Sequence, residues 1–224
     1  MMDLKNRSRQ VLWSMPAVHK ALMRKKWGDS FEPSSFECYV CGFPRSGNNF
    51  MKQVLQSCCF FEEKAISGAS HLPPYISESI ARGLPTFLTI RNPSGSVASW
   101  VTATGCSVQH ALDYYLLFHA KICALNLEQI LVCDFDEMTS LSERFRVDLD
   151  RYLPDLKSKR VWLSSSQVLS ELRAGNGSAE SLINTAPTEK KKAINQKIKE
   201  ELKEEQYERK LEKCRKIHAS ILGK

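Results

Sequence analysis

Short apolar runs alternate with helical patterns along the middle of the chain. The runs that predict strands, because they are rich in aromatic and β-branched residues, are 36–42, 86–90 and 129–135. Apolar residues at helical spacing lie between them, at 50–55, 94–100 and about 108–127. Strands that alternate with helices predict an α/β fold with a mostly parallel central sheet flanked by helices. Such sheets bind ligands beyond the carboxyl ends of their strands.

The two ends of the chain have a different pattern. Residues 5–26 predict a basic amphipathic helix with a kink at Pro16, and residues 28–35 predict a turn-rich connector. From Thr188 onward the chain is rich in Lys and Glu, and its apolar residues recur at helical spacing: Ile194, Ile198, Leu202, Leu211, Ile217 and Ile221. This spacing predicts a long helix that docks one apolar edge, although a coiled coil or a partner-binding helix would share the pattern.

The charge of the chain is concentrated in these ends. The net charge is +7, and residues 1–27 hold seven Lys or Arg against one acid, whereas residues 188–224 hold twelve against seven. The body, residues 28–187, holds thirteen basic and seventeen acidic residues. We therefore expect one domain, with the body at 28–187 between a basic N-terminal helix and a peripheral helical tail.

This distribution narrows the classes of partner. A general nucleic-acid binder more often has a basic stripe across its folded body, whereas here the basic residues lie in the two ends, so we expect no specific nucleic-acid partner. The basic ends favour contact with an acidic partner or a membrane surface. No apolar run approaches 18 residues, and the start of the chain has no signal-like apolar segment. These features predict a soluble cytoplasmic protein.

Eight cysteines are present, and two of them have the spacing of a metal-binding pair. Cys38 and Cys41 form a CxxC sequence, but no second pair follows it, which argues against a zinc ribbon. Both lie in the first predicted strand, where side chains three residues apart point to opposite faces. We expect reduced, mostly buried thiols and no metal site.

The loop after the first predicted strand carries the strongest chemical signal. Gly42 and Gly47 have the Gly-x4-Gly spacing of a P-loop, and a strand-loop-helix unit presents backbone N–H groups to an anion. Asn48 and Asn49 occupy the positions where a Walker loop has its Lys and its Mg²⁺-binding hydroxyl. The loop therefore predicts anion binding without Mg²⁺, with Arg45 as the cation.

Residues 44–50, PRSGNNF, resemble the phosphosulfate-binding loop of the sulfotransferases, which is commonly PKSGTTW. The resemblance implies a P-loop-like sulfotransferase fold and 3′-phosphoadenosine 5′-phosphosulfate (PAPS) as donor, with no catalytic metal. It also implies that Arg45 stabilises the leaving phosphate oxygen. The donor's sulfate and 5′-phosphate would be held by Arg45 with the loop residues Ser46, Gly47, Asn48 and Asn49. Phe50, at the position of the family's aromatic residue, would stack on adenine or else be a core residue.

A second match concerns the 3′-phosphate. Sulfotransferases carry an Arg at a strand end and a Ser eight residues later, and Arg91 and Ser99 in RNPSGSVAS have that spacing. The resemblance implies that this pair binds the 3′-phosphate of the donor. An Arg fork is suited to bidentate phosphate binding, whereas the alternative is a surface Arg before a capped helix.

A third match provides a candidate base. Residues 70–74, SHLPP, resemble the family's Lys-Thr-His-Leu-Pro, in which the His is the general base, although Ala69 replaces the lysine. His71 would then accept the proton of the acceptor group. A structural His71, or a base at Glu62 or Glu63, remains an alternative.

Two weaker matches complete the resemblance, which spans roughly residues 36–177. Residues 131–138 resemble a family strand that ends in Tyr/Phe-Glu-Asp. Arg173 lies where the family has an Arg-Lys-Gly loop over the nucleotide phosphates, although a plain Gly-rich linker at 173–177 would fit as well.

Together the matches imply transfer of a sulfuryl group from PAPS to a hydroxyl or amine, on a small-molecule, carbohydrate or peptide acceptor. Two alternatives remain at this point. One is a catalytically inactive nucleotide-binding or scaffold protein. The other is a P-loop small-molecule kinase, against which the missing Walker residues argue.

Overall fold

The computed structural model describes residues 36–71, 73–175 and 188–223. The predicted N-terminal helix at 5–26 and the connector at 28–35 lie outside these residues, as do residues 176 and 177. Within the described ranges, none of the helices has both the length and the apolar character needed to cross a membrane.

The core of the fold is a parallel sheet of four strands. They are β1 (Cys38–Gly42), β2 (Ile66–Ser70), β3 (Thr86–Ile90) and β4 (Leu131–Asp134). They are ordered β2-β1-β3-β4, and every neighbouring pair is parallel. The three predicted strands are confirmed. β2 was not predicted, because its sequence ISGAS contains only one large apolar side chain and so shows no strand pattern.

Helices cover both faces of the sheet, as predicted. In chain order they are α1 (Asn48–Cys59), α2 (Pro73–Ala81), α3 (Pro93–Thr104), α4 (Val108–Ile122), α5 (Phe135–Ser140), α6 (Glu143–Tyr152), α7 (Ser165–Gly175), α8 (Glu189–Glu201) and α9 (Glu205–Ile221). Short 3₁₀ turns occur at Glu63–Ala65, Leu127–Gln129 and Pro154–Lys159.

The alternation of side chains along the strands creates two hydrophobic clusters, one on each face. Cys41 and Leu88 belong to the cluster formed with α2, α3 and α4, whereas Cys38 and Phe87 belong to the cluster formed with α1, α6 and α7. The two thiols of the CxxC pair therefore point to opposite faces, as predicted. All eight cysteines lie in the described residues, and no disulfide joins them.

The tail differs from the prediction in one respect. It forms two helices, α8 and α9, because the chain leaves the helical conformation between Leu202 and Glu204. Its apolar edge docks on the rest of the domain, as predicted. Ile198, Leu202 and Leu211 are buried in the same cluster as α3 and α4, and α8 packs on α3 while α9 packs on α4.

Candidate anion-binding site

The strand order places the site between β1 and β3. After β1 the chain pairs β2 on one side, and it then crosses over to place β3 on the other side. A parallel sheet with this order opens a crevice beyond the carboxyl ends of β1 and β3, where the flanking connections diverge to opposite faces. The loop 43–47 follows β1, and Arg91 follows β3, so both predicted motifs reach this crevice.

The loop after β1 bends through two residues with left-handed backbone conformations. Arg45 has φ 71° and Gly47 has φ 99°. A Cβ on Gly47 would also come within 2.6 Å of the Met138 side chain, so that position requires glycine. Arg45 has no such freedom, and a left-handed conformation costs an ordinary residue about 1–2 kcal/mol. The fold holds the cationic residue in a strained backbone geometry.

The side chains of Ser46 and Asn48 point into the protein and anchor the loop by hydrogen bonds. Ser46 is fully buried, and its Oγ lies 2.6 Å from the Phe43 carbonyl oxygen and 2.9 Å from Thr89 Oγ1. Thr89 Oγ1 in turn donates a hydrogen bond to Asn48 Oδ1. The Ser46 backbone N–H also donates to the Phe43 carbonyl oxygen, at 3.1 Å, so Ser46 supports the loop and, contrary to the prediction, does not contact an anion. An anion would meet Arg45 and the backbone N–H groups of residues 47–49.

The start of α1 leaves its first-turn N–H groups open to an anion. The cap residue Gly47 provides no side-chain acceptor, and the first turn contains no acidic residue. An uncapped helix start carries a partial positive charge on N–H groups that have no intrahelical partner. This is the arrangement that the P-loop spacing predicted.

His71 lies at the carboxyl end of β2 and is tied to the same loop. Its Nδ1 is 3.0 Å from the Gly42 carbonyl oxygen, and Asn48 Nδ2 is 3.4 Å from the same oxygen. Asn48 Nδ2 is also 3.1 Å from His71 Nδ1, and the direction of that contact depends on the imidazole tautomer. In the tautomer that donates to the Gly42 carbonyl, the hydrogen is on Nδ1. The lone pair is then on Nε2, where it can accept a proton.

The surroundings of His71 keep the imidazole neutral. Burial lowers its pKa below the ordinary 6.5. The hydrogen bond to Gly42 opposes this shift, and the positive charge of Arg45 adds a smaller lowering effect. A neutral imidazole at pH 7 has the protonation state of a general base. The backbone of His71 is also held, since the Tyr114 hydroxyl donates to its carbonyl oxygen at 3.4 Å.

Arg45, Arg91 and Ser99 come together, although they are far apart in sequence. Arg45 Nε donates to Ser99 Oγ at 3.2 Å, and Arg91 Nη1 donates to the Arg45 carbonyl oxygen at 3.3 Å. Burial lowers the pKa of both guanidinium groups. The charge of Arg45 further lowers the pKa of Arg91, whereas Asp136 opposes that shift.

Arg91 is held by an aromatic ring and by a tyrosine hydroxyl, and one of its own donors has no acceptor among the described residues. Its guanidinium carbon lies 4.0 Å from the centroid of the Phe135 ring, and the Tyr115 hydroxyl donates to its carbonyl oxygen at 3.0 Å. Arg91 Nε is buried and has no hydrogen-bond partner within the described part of the chain. A buried donor without an acceptor is costly, and an anion that reached Arg91 Nε would satisfy it.

Two candidate residues are not in the positions predicted for them. Phe50 is only 4% exposed and packs in the cluster of α1, α6 and α7, so it is a core residue whose ring has no open face for adenine. Arg173 is exposed in the last turn of α7, where the predicted loop begins as a helix, and it is not among the groups around Arg45 described above. Asn49 is half-buried in the first turn of α1.

The alternative bases Glu62 and Glu63 lie at the end of the sheet opposite to the crevice. Both are exposed and precede β2, so they lie at its amino end, whereas His71 follows its carboxyl end. The five residues of β2 separate the two ends by about 16 Å at ~3.3 Å per residue. These carboxylates therefore do not reach the crevice, and the alternative base is rejected.

A shallow surface pocket also lies at the amino edge, near the starts of β3 and β4. It is lined by Ile80, Gly83, Leu84, Pro85, Gln129 and Tyr152. Because these side chains carry no charge and lie away from the basic groups, the pocket is not the anion site.

Sequence reasoning missed several residues that support the site. Thr89 sits within an apolar run, and Tyr114 and Tyr115 sit within a helical one, so their periodicity indicated only core positions. The sequence pattern indicated Phe135 only as the last residue of a predicted strand. An aromatic residue directly after a strand end was the available signal, since such positions face the ligand edge of a parallel sheet.

Comparison with protein-family models, with curated proteins and with solved structures gives no significant match for this chain. Its function must therefore be inferred from the arrangement of its own residues.

Proposed function

We propose that the protein is a sulfotransferase that moves a sulfuryl group from PAPS to a hydroxyl or amine. The observation that carries the proposal is the meeting of Arg45, Arg91 and Ser99 at the β1/β3 crevice, with the buried Arg91 Nε lacking an acceptor. Two arginines and an uncapped helix start in one crevice suit a ligand with more than one anionic group.

The donor would be bound in two parts. Arg45 and the backbone N–H groups of residues 47–49 would hold the sulfate and the 5′-phosphate, whereas the Ser46 N–H already donates to the Phe43 carbonyl oxygen. Arg91 and Ser99 would hold the 3′-phosphate, which distinguishes PAPS from ATP. Ser99 accepts from Arg45 through its oxygen, so its own hydrogen is available to a phosphate oxygen.

The transfer step uses His71 and Arg45. His71 Nε2 takes the proton of the acceptor hydroxyl or amine as the new S–O or S–N bond forms. The bond between sulfur and the bridging phosphate oxygen breaks, and its electron pair goes to that oxygen, so that 3′,5′-ADP leaves. Arg45 would stabilise the charge on the leaving oxygen, and no step requires a metal ion.

The kinase alternative is disfavoured by the state of Asn48. This residue occupies the position of the Walker lysine, yet its amide is committed to the Gly42 carbonyl and to Thr89. It therefore cannot reach a terminal phosphate in the way that the lysine does.

A nucleotide screen followed by a transfer assay tests the proposal. We expect 3′,5′-ADP and PAPS to stabilise the full chain against heat far more than ATP or 5′-AMP. We then expect sulfate transfer to an acceptor panel, measured with labelled PAPS and unchanged in EDTA. Binding without turnover on any acceptor would favour the scaffold alternative. If only Mg²⁺-ATP stabilised the chain against heat, the result would favour the kinase alternative.

A further inference from the structure

Thr89 places a hydroxyl in the interior of β3. It is fully buried, and a valine of the same shape would fill the position without a polar group. The hydroxyl donates to Asn48 Oδ1, and Asn48 in turn contacts His71, with 3.1 Å between Asn48 Nδ2 and His71 Nδ1. A chain of buried polar contacts therefore joins β3 to the candidate base through the first residue of α1.

This chain of contacts depends on the glycine at position 42. A Cβ on Gly42 would come within 2.7 Å of Asn48 Oδ1 and closer still to Thr89 Oγ1. Thr89 is the residue of β3 that pairs with Gly42 of β1, which brings its hydroxyl into the space that a side chain at position 42 would fill. The first glycine of the P-loop spacing therefore leaves room for Thr89 to reach Asn48.

The hydrogen bond from Thr89 determines which way the Asn48 amide faces. With Oδ1 toward the Thr89 hydroxyl, Nδ2 faces the Gly42 carbonyl oxygen, at 3.4 Å, and the His71 ring. The reverse orientation would place the amide oxygen against that carbonyl oxygen, and two acceptors have no hydrogen to share. Thr89 therefore acts on the surroundings of His71 through Asn48.

His71 is held at one ring nitrogen from two directions. Nδ1 is 3.0 Å from the Gly42 carbonyl oxygen and 3.1 Å from Asn48 Nδ2. Neither contact uses Nε2, the nitrogen that would accept a proton. A base must lie within hydrogen-bond reach of the proton that it removes, and a misplacement of about 1 Å can cost about 10²-fold in rate. The two contacts at Nδ1 therefore determine where Nε2 lies.

We propose that Thr89 and Asn48 are positioning residues, in which the Thr89 hydroxyl orients the Asn48 amide and this amide, with the Gly42 carbonyl, holds the His71 ring for proton transfer at Nε2. The inference rests on the proposed function for the identity of the reaction. It also assigns the Asn48 side chain to the base, so that only the backbone N–H of Asn48 is left for the donor.

The kinetic test removes the Thr89 hydroxyl and keeps the shape of the residue. We expect Thr89→Val to lower kcat about 10- to 100-fold with little change in the KM for PAPS, and Thr89→Ser to recover much of the loss. Thr86→Val is the matched control, because Thr86 is also fully buried in β3 and donates to Ser79 Oγ at 2.7 Å, at the other end of the strand. Equal kcat of Thr89→Val and Thr86→Val would overturn the inference and leave the proposed function intact.

An NMR titration of the His71 ring tests the contact without any assay of activity. In Asn48→Asp a carboxylate would lie beside Nδ1, so His71 should titrate at a pH about 1–3 higher than in the natural chain. Asn49→Asp adds the same charge at the next position of α1, where the side chain points about 100° away around the helix, and should raise the titration less. Arg45 and Tyr114, which also act on His71, are unchanged in both variants. Equal titration of His71 in the two variants would contradict the contact.

A third measurement uses the natural chain and so does not depend on the folding of any variant. The side-chain amide hydrogens of Asn48 should show a nuclear Overhauser effect to the His71 ring hydrogen next to Nδ1. Its absence would overturn the inference. If no acceptor is sulfated and neither PAPS nor 3′,5′-ADP binds, the proposed function fails, and the two NMR measurements alone decide whether Asn48 holds His71.

Discussion

Two strand-to-helix junctions at the same edge of the sheet differ in how they treat the unpaired N–H groups at the start of the helix. At the β4–α5 junction, Asp134 caps the helix, and its Oδ1 accepts from the N–H groups of Asp136 and Glu137 at 3.0 and 3.3 Å. Both of those residues are acidic and lie in the first turn. At the β1–α1 junction, Gly47 provides no cap and the first turn has no acid.

The difference shows which features make a strand-to-helix junction suitable for binding an anion. Asp134 neutralises its own helix start, so that junction has no need of an external anion. The junction at Gly47 leaves its N–H groups open and adds Arg45. The closed junction also supports the open one, because Phe135 lies under Arg91 and its neighbour Met138 packs against Gly47.

The largest loss of turnover should come from substituting His71, the base that contacts the uncapped β1–α1 junction. We expect His71→Ala to lower turnover about 10²- to 10⁴-fold, the usual contribution of a general base, while 3′,5′-ADP affinity is unchanged. Because the pKa of His71 is lowered, the rate of the natural chain should fall only as the pH drops below 6.5. Sulfate transfer measured across pH checks both points. An unchanged acid limb in His71→Ala would assign the base to another residue.

Arg45→Met should have the next largest effect. We expect turnover to fall about 10²- to 10³-fold, because a preorganised charge at the leaving oxygen is lost. Binding of 3′,5′-ADP should fall less, since this product lacks the sulfuryl group. Arg144→Met is the matched control, because the Arg144 side chain is 67% exposed on α6. Equal activity of the two variants would remove Arg45 from the mechanism.

Arg91→Met tests the second cation of the crevice. The natural chain should bind 3′,5′-ADP more tightly than 5′-AMP, and the variant should lose about 10- to 100-fold of that preference. Calorimetric titration of both nucleotides measures the ratio. A natural chain with the same affinity for both would show that Arg91 and Ser99 do not recognise a 3′-phosphate.

Opening the closed junction should cost stability and leave binding alone. We expect Asp134→Ala to lower the free energy of unfolding by about 1 kcal/mol, because two helix N–H groups lose their acceptor. Denaturant unfolding measures this loss. Nucleotide affinity that fell as much as stability would mean that the two junctions are not separable.

Closing the open junction should have the smallest effect on stability, with the opposite sign. Asn49→Asp places an acid in the first turn of α1, which should stabilise the ligand-free chain by about 0.3–1 kcal/mol. The same charge should weaken 3′,5′-ADP binding, because it competes with the anion for the helix start. Tighter nucleotide binding by Asn49→Asp would contradict an anion at this position.

Part of the site could be predicted because it depends on local sequence. The loop 43–47 follows its strand directly, and position 47 has a positive φ that favours glycine. The opposite orientation of Cys38 and Cys41 follows from strand geometry alone. In the same way, the apolar spacing of the tail indicated which of its residues would be buried.

The remainder depends on which distant segments become neighbours. Periodicity identified Phe50 as an aromatic at a helix start, but only packing shows its ring to be inside the core. The sequence left His71 and the two glutamates as alternatives. The direction of β2 decided between them, because it places His71 beside Gly42 and the glutamates at the far end.

The sequence by itself determined three of the four strands, the helices between them, the cation in the loop and the apolar faces, because each is set by residues close together in the chain. The tertiary structure alone decided the strand order, the meeting of Arg45 with Ser99 and the contact of Thr89 with Asn48. The physical reason is that sheet pairing and helix docking depend on contacts between residues far apart in the chain, which no local pattern encodes.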